Sequence, residues 1–228
     1  MSHKKLSRYK GKLTPAEAAA GINCARHNAK RLATDAQRLL TADQYPSALA
    51  LAILSIEESG KVSVLRSLVL ARSDDEVKTA WREYRSHTAK NRLWPIVELV
   101  QKGARKLDDF ASLFSDQSEH TLLLDQLKQI AFYTDCLGNC HWSEPGQVID
   151  KNIATMIVHT SELLSQGDDV SIRELELWVK HLGPVWKKAK EVMEKGLVDW
   201  QAAMQAEGLK RDGGEEMQKF ILEGIQAE

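Results

Sequence analysis

The feature that most constrains the fold is the apolar segment ALALAILSI at residues 48–56. Pro46 precedes it and fits the first turn of a helix that we expect to continue to Leu70. Because the first half of this helix is apolar on nearly every side, we expect it to lie centrally or across a subunit interface. The segment is far shorter than the about 20 residues that a membrane span needs, so we expect no contact with a membrane.

The rest of the chain also favours helix. Only five prolines and 13 glycines interrupt 228 residues rich in Ala, Leu, Glu, Lys and Gln, and no β-branched residues alternate as in a strand. The length suits one core. We therefore predict an all-α fold with a basic N-terminal segment (residues 1–13), a single helical domain (14–206) and a polar C-terminal tail (207–228).

Capping residues, prolines and glycines place the predicted helices. A first helix opens with a capping box at Thr14 and Glu17 and runs to about Leu40. A third helix opens at Ser73 and continues through Trp94, where Pro95 kinks or ends it. The remaining predictions are one or two helices in 104–136, a turn-rich connection in 137–147, a helix at 149–164, a helix at 170–206 interrupted by Gly183-Pro184, and a possible short helix at 215–225.

Charge and cysteine content limit the function. Lys and Arg total 31 against 32 for Asp and Glu, so a broad basic surface for nucleic acid is absent and any RNA contact must be local. The chain has three cysteines without a disulfide framework and no signal-peptide pattern at the N-terminus, so we expect the protein in the cytoplasm. Cys136, Cys140 and His141 lack a fourth ligand nearby, so we predict no metal.

Three stretches carry a resemblance to a known family. They are HNAKRLATDAQRLLTADQYPSALALAILSIEESGK (27–61), REYRSHTAKN (82–91) and KQIAFYTD (128–135), with a further segment at 142–145. From about residue 20 to residue 160 the chain resembles the AbiV family of bacterial abortive-infection proteins, which are HEPN-type proteins. The resemblance implies a HEPN-like helical bundle, here with additional C-terminal helices. Many HEPN proteins are homodimeric ribonucleases that need no metal or cofactor and carry an Arg-x(4–6)-His motif.

In this chain Arg82 and His87 match that motif. Histidine exchanges protons near neutral pH and arginine binds phosphate through two N–H groups, so His87 is the candidate acid or base and Arg82 the candidate phosphate ligand. On a straight helix the two point about 140° apart, so convergence needs the reach of arginine, a helix distortion or a second subunit. Active HEPN ribonucleases often have a small polar residue after the motif arginine, and this chain has Glu83. A carboxylate there could neutralise Arg82, so the ribonuclease activity is in question.

Other polar residues could support this pair. Glu57 and Lys61 are spaced for an i, i+4 ion pair, and one carboxylate of Glu57 and Glu58 should be partly buried and find a partner in Lys61, Arg82 or His87. Gly60 permits close helix contact. A continuous third helix would place on one face with His87 the residues Glu83, Lys90, Asn91 and Trp94. A solvated helix face or a stabilising core network explains these residues equally well.

Three functions remain open from the sequence. The first is a phage-defence effector that cleaves RNA as a homodimer and is activated on infection, with a phage-encoded protein as a possible activator. The second is a non-catalytic helical module that arrests growth by docking on a host or phage protein. The third is a structural or antitoxin-like partner, supported only by the lack of a stronger motif.

Overall fold

The computed structural model describes residues 7–114, 119–209, 219–221 and 223–224, and the regular secondary structure in them is helical apart from one small hairpin. The predicted all-α fold is therefore confirmed. The α-helices are α1 (Pro15–Thr41), α2 (Tyr45–Leu70), α3 (Asp74–Arg85), α4 (His87–Lys90), α5 (Ile96–Gln101), α6 (His120–Phe132), α7 (Pro145–Val148), α8 (Lys151–Leu164), α9 (Ile172–Leu182) and α10 (Lys190–Ala206). Two 3-10 helices span Leu107–Phe114 and Gly183–Val185.

The start of α1 follows the predicted capping box. The Thr14 hydroxyl accepts a hydrogen bond from the backbone N–H of Glu17, and the Glu17 carboxylate accepts one from the backbone N–H of Thr14. These two bonds satisfy N–H groups that a helix end otherwise leaves unpaired. The helix ends at Thr41, and Asp43 adopts a positive φ of 57° in the turn that leads to α2.

Helix α2 lies at the centre of the protein, as its apolar sequence predicts. It packs against α1, α3, α4, α6, α8 and α9. One core cluster surrounds its first half with α1, α6 and α8, and a second surrounds its last turns with α1, α3, α9 and α10. Leu49 and Ile53 are fully buried within the single chain. The apolar segment is thus covered within one chain, and of the two positions expected from the sequence it takes the central one.

The third helix differs from the prediction because it breaks at Ser86. Ser86 has φ −81° and ψ 132°, which is extended backbone, and it separates α3 from the single turn of α4. Its hydroxyl accepts a hydrogen bond from the backbone N–H of Ala89, so Ser86 caps α4. The continuous helix through Trp94 is therefore wrong, and Glu83 does not share a helical face with His87.

The segment after α6 also departs from the predicted turn-rich connection. Strand β1 (Asp135–Leu137) pairs antiparallel with strand β2 (His141–Ser143), and Cys136 lies opposite Trp142. The short helix α7 follows the hairpin. The C-terminal helices match the prediction, since Gly183-Pro184 interrupts the chain between α9 and α10.

At the two ends the structure describes only part of the chain. Of the possible helix at 215–225, residues 219–221 are helical and residues 215–218, 222 and 225 lie outside the described residues. Among the described helices, none combines the length and the apolar character that crossing a bilayer requires.

Candidate functional site

The site is built around Glu57, which α2 places between the two apolar clusters. Its carboxylate is almost completely buried, with 3% of the residue exposed. An ionised carboxylate is costly to bury unless hydrogen bonds and opposite charges replace water. Glu57 has both: Lys128 Nζ lies 2.7 Å from Oε1, while His87 Nδ1 lies 2.7 Å and Lys90 Nζ 3.4 Å from Oε2.

His87 is the partner that reaches solvent. It is the first residue of α4, and its side chain is 57% exposed. Because Glu57 is ionised and can only accept, Nδ1 carries the proton, and its N–H donates a hydrogen bond to the Glu57 carboxylate. Among the described residues this is the hydrogen bond that the ring forms, so Nε2 has no protein partner and can contact another molecule. Buried Glu57 therefore fixes both the orientation and the tautomer of an accessible imidazole.

Two lysines set the charge of the cluster. Burial raises the pKa of Glu57, but the hydrogen bonds from Lys128 and His87 and the charges of Lys128 and Lys90 outweigh it, so the pKa falls below its usual value. Burial lowers the pKa of Lys90. Burial also opposes the charge of Lys128, yet hydrogen bonds to Asp125 and Glu57 raise its pKa above the usual value. Glu57 is consequently held as the anion.

Gly60 allows α4 to approach α2, as predicted. A Cβ atom at Gly60 would overlap the backbone carbonyl of Lys90. The absence of a side chain there lets the last residue of α4 lie directly against α2, one turn beyond Glu57. This close contact brings both His87 and Lys90 within reach of the Glu57 carboxylate.

Other predicted site residues lie elsewhere. Lys61 pairs with Glu58, Nζ to Oε1 2.6 Å, so the predicted Glu57–Lys61 ion pair is wrong. Lys61 Nζ also lies 5.1 Å from the centre of the Tyr84 ring. Glu83, in α3, lines a surface cavity with Arg92. Glu58, Lys61 and Glu83 are therefore outside the Glu57 cluster.

Arg82 and Asn91 contribute no contact to the cluster. Arg82 is exposed in the last turn of α3, and its side chain forms no hydrogen bond or ion pair with a described residue. Asn91 follows α4 and is 0% exposed, and neither side-chain polar atom has a partner among the described residues. The helix break at Ser86 thus places Arg82 and His87 on different helices and does not bring their side chains together.

Sequence reasoning missed Lys128 and Asp125, both on α6. Lys128 bridges the two carboxylates, with Nζ 2.7 Å from Glu57 Oε1 and 2.7 Å from Asp125 Oδ1. Both residues are one helical turn apart, at i and i+3. A signal was present, because Lys128 begins the stretch KQIAFYTD that resembles the family, but no local pattern joined it to Glu57.

Three potential metal ligands meet in this cluster: the ligand atoms of Glu57, His87 and Asp125 lie within 4.8 Å of one another. Cys136, Cys140 and His141, which are an incomplete ligand set in the sequence, form no such group in the described chain, although the two Sγ atoms are 3.7 Å apart. The group at Glu57 does not fit a metal well. The Lys128 ammonium already lies against both carboxylates and would repel a cation.

The helical bundle fits the HEPN-type class of all-α proteins. A family model described as AbiV, of the HEPN group, matches residues 17–166, which is more than half of the chain. The chain belongs to the AbiV family. Comparison with curated proteins and with solved structures found no match.

Proposed function

We propose that this protein is a phage-defence effector that cleaves RNA without a metal ion and acts in the cytoplasm as a homodimer. The observation that carries the proposal is the accessible His87 ring, bonded through Nδ1 to the buried Glu57 carboxylate. A base that is held in one tautomer by a second group is an arrangement suited to proton transfer. Membership of the AbiV family supports the defensive role.

His87 Nε2 removes the proton from a ribose 2′-hydroxyl in the proposed reaction. The 2′-oxygen then attacks the neighbouring phosphorus, and the bond from phosphorus to the 5′-oxygen breaks. The products are a 2′,3′-cyclic phosphate and a free 5′-hydroxyl. Glu57 stabilises the imidazolium that forms, and Lys128 and Lys90 keep Glu57 ionised throughout.

Arg82 and a second copy of the chain complete the reaction. Arg82 is exposed and has no partner in the described part of the molecule, so its guanidinium is available for a phosphate oxygen. The leaving 5′-oxygen needs a proton, which the partner subunit's His87 supplies in its protonated form. Glu83 does not neutralise Arg82 by an ion pair, because no Arg82 guanidinium nitrogen lies within 4.0 Å of a Glu83 carboxylate oxygen.

The proposed dimer surface includes α6 and the hairpin. This part of the chain exposes several large apolar side chains, and Trp142 is the most exposed at 75%. Leu122 and Phe132 lie three and seven residues from Asp125, so all three share one face of α6. A second copy packed there would lie beside the Glu57 cluster, since Asp125 contacts Lys128.

The experiment is incubation of the purified protein with total RNA, with and without lysate of phage-infected cells. A phage-encoded activator predicts cleavage only in the presence of the lysate. Addition of a metal chelator should leave the cleavage unchanged. Loss of cleavage on chelation would contradict the metal-free mechanism, and an intact RNA pool under every condition would contradict the ribonuclease.

A second function, a non-catalytic module that docks on a host or phage protein, is favoured by the same exposed apolar side chains. A hydrophobic surface centred on an aromatic residue such as Trp142 is typical of protein interfaces. This function predicts growth arrest that persists in His87→Ala and is lost in Trp142→Ala. The ribonuclease predicts loss of arrest in His87→Ala.

A further inference from the structure

Two adjoining cavities flank the Arg66 side chain in the second half of α2. Their volumes are about 520 Å³ and about 400 Å³, and both are lined by Arg26, Arg66 and Trp178. Cavities of this size are typical of sites for small molecules. Neither is lined by His87, Glu57 or Lys128, so they are separate from the candidate ribonuclease site.

The larger cavity has an aromatic wall and an unpaired amide. Trp178 and Trp200 meet edge to face with ring centres 5.0 Å apart. Gln201 lines the same cavity and is only 3% exposed, yet neither its amide nitrogen nor its amide oxygen has a hydrogen-bond partner among the described residues. A buried unpaired amide is costly unless a ligand completes it.

Arg66 lies against both rings and has Glu174 as its carboxylate partner. Its guanidinium carbon is 5.3 Å from the centre of the Trp178 ring and 5.6 Å from that of Trp200. The nearest carboxylate, Glu174, is 3.4 Å away, and Nε is buried without a partner in the described chain. Burial lowers the pKa of Arg66, the charge of Glu174 opposes this shift, and the positive charge of Arg26 adds to it. Because Asp168, Asp169 and Glu174 all line the larger cavity, an anion beside the two arginines is favoured only on the side of the smaller one.

The smaller cavity suits that anion. Its lining in the described chain contains Arg26 and Arg66 but no Asp or Glu. Ser59, on the preceding turns of α2, also lines it, and the buried Ser59 hydroxyl has no partner among the described residues. Two guanidinium groups and a hydroxyl form a set of donors that matches phosphate.

We propose that the paired cavities bind one nucleoside monophosphate. The phosphate occupies the smaller cavity against Arg26, Arg66 and Ser59. The base and sugar occupy the larger cavity, where the indole rings offer a stacking surface. Gln201 forms hydrogen bonds to the edge of the base, and Glu174 accepts hydrogen bonds from the ribose hydroxyls. Arg66 joins the two halves, because its side chain lines both cavities.

This proposal is independent of the ribonuclease. Trp178, Trp200 and Gln201 lie beyond residue 166, where the match to the AbiV family ends. Arg66 is nine residues after Glu57 on α2, a separation of about 13 Å along the helix axis. The C-terminal helices thus add a binding site to the family's core.

Calorimetric titration of the full chain with adenosine monophosphate, adenosine and inorganic phosphate tests the proposal. We expect the monophosphate to bind at least about tenfold more tightly than either part alone, which is about 1.4 kcal/mol. Phosphate that binds as tightly as the monophosphate would reduce the site to an ion site and overturn the proposal. The proposal also fails if adenosine equals the monophosphate, or if none of the three binds at about 1 mM.

Two variants separate the halves of the site. Gln201→Leu should weaken the binding of the monophosphate and of adenosine about tenfold. The melting temperature should not fall, because the substitution removes an unpaired buried amide. Ser59→Ala should weaken the binding of the monophosphate and leave the binding of adenosine unchanged. The exposed Gln205→Leu on the same helix is the control for Gln201→Leu. A lower melting temperature with unchanged affinity in Gln201→Leu would assign a structural role to Gln201 and overturn its place in the site.

Arg66→Lys tests the residue that joins the two cavities. Lysine keeps the charge but loses the planar fork, so the monophosphate should bind at least about tenfold more weakly. Arg38→Lys is the matched control, since the Arg38 side chain is 75% exposed and does not line either cavity. Unchanged affinity in a folded Arg66→Lys variant would overturn the proposal.

Discussion

The imidazole of His87 is tied to Glu57 by a contact of 2.7 Å between Nδ1 and Oε2. This contact joins the first residue of α4 to the centre of α2, although the two residues are 30 positions apart. One partner is 57% exposed and the other 4%, measured for the side chains. The buried Glu57 carboxylate therefore holds in place an imidazole ring that another molecule can reach from solvent.

Glu57→Gln should destabilise the protein by about 3 kcal/mol, because Lys90 and Lys128 would remain buried without this carboxylate. Urea denaturation provides the measurement. Glu58→Gln is the matched control on the same helix and should cost less, since its partner Lys61 is more exposed. Equal losses in the two variants would show that the Glu57 cluster has no special energetic role.

The stability supplied by Glu57 should vary with pH. Its pKa in the folded protein lies below the ordinary value of 4.5, so the carboxylate contributes stability above that value and loses it as the pH falls through the folded-state pKa. The difference in unfolding free energy between the wild type and Glu57→Gln should be constant near neutral pH and shrink below pH 4.5. A difference that grows on acidification would contradict the depressed pKa.

Gly60→Ala should cost about 1–3 kcal/mol, because the added methyl group would overlap the Lys90 carbonyl and push α4 away from α2. The same displacement should lower the activity by moving His87. Thermal melting and RNA cleavage measure the two effects. At Gly146 an added Cβ meets nothing within 4 Å, so Gly146→Ala is the control and should change neither.

Much of the fold follows from local sequence. The capping box at Thr14, the apolar run after Pro46 and the Gly183-Pro184 interruption each determine a helix boundary or a helix position through nearby residues. The break at Ser86 was missed, because a serine can occupy a helix interior or cap a new helix. Here the close packing of α4 on α2 at Gly60 accompanies the second choice.

The site was only partly predictable for a different reason. Spacing on one helix suggests the pair Glu57–Lys61, but burial of Glu57 requires stronger compensation than an i, i+4 neighbour provides. The compensating Lys128 is 71 residues away in sequence, so only the three-dimensional fold joins them. His87 was correctly named as a partner for a buried carboxylate. Its catalytic role, and that of Arg82, stay predictions.

The homodimer predicts a mass of about twice the 25.6 kDa of one chain in light scattering. Phe132→Lys should shift the protein towards the monomer, because it places a charge in the apolar face of α6. The control is Val192→Lys on α10, which changes an exposed apolar residue away from α6. A wild-type mass near 25.6 kDa at all concentrations would contradict the dimer.

RNA cleavage by His87→Ala is the most direct test of the account. Removal of the general base should lower the rate by about 10²-fold or more, while the melting temperature stays close to that of the wild type because the side chain is 57% exposed. The matched control is His159→Ala, an equally accessible histidine, 63% exposed, beside Glu162. We predict that His159→Ala cleaves RNA like the wild type and that folded His87→Ala does not. Equal cleavage by both variants would contradict the assignment of His87 as the base.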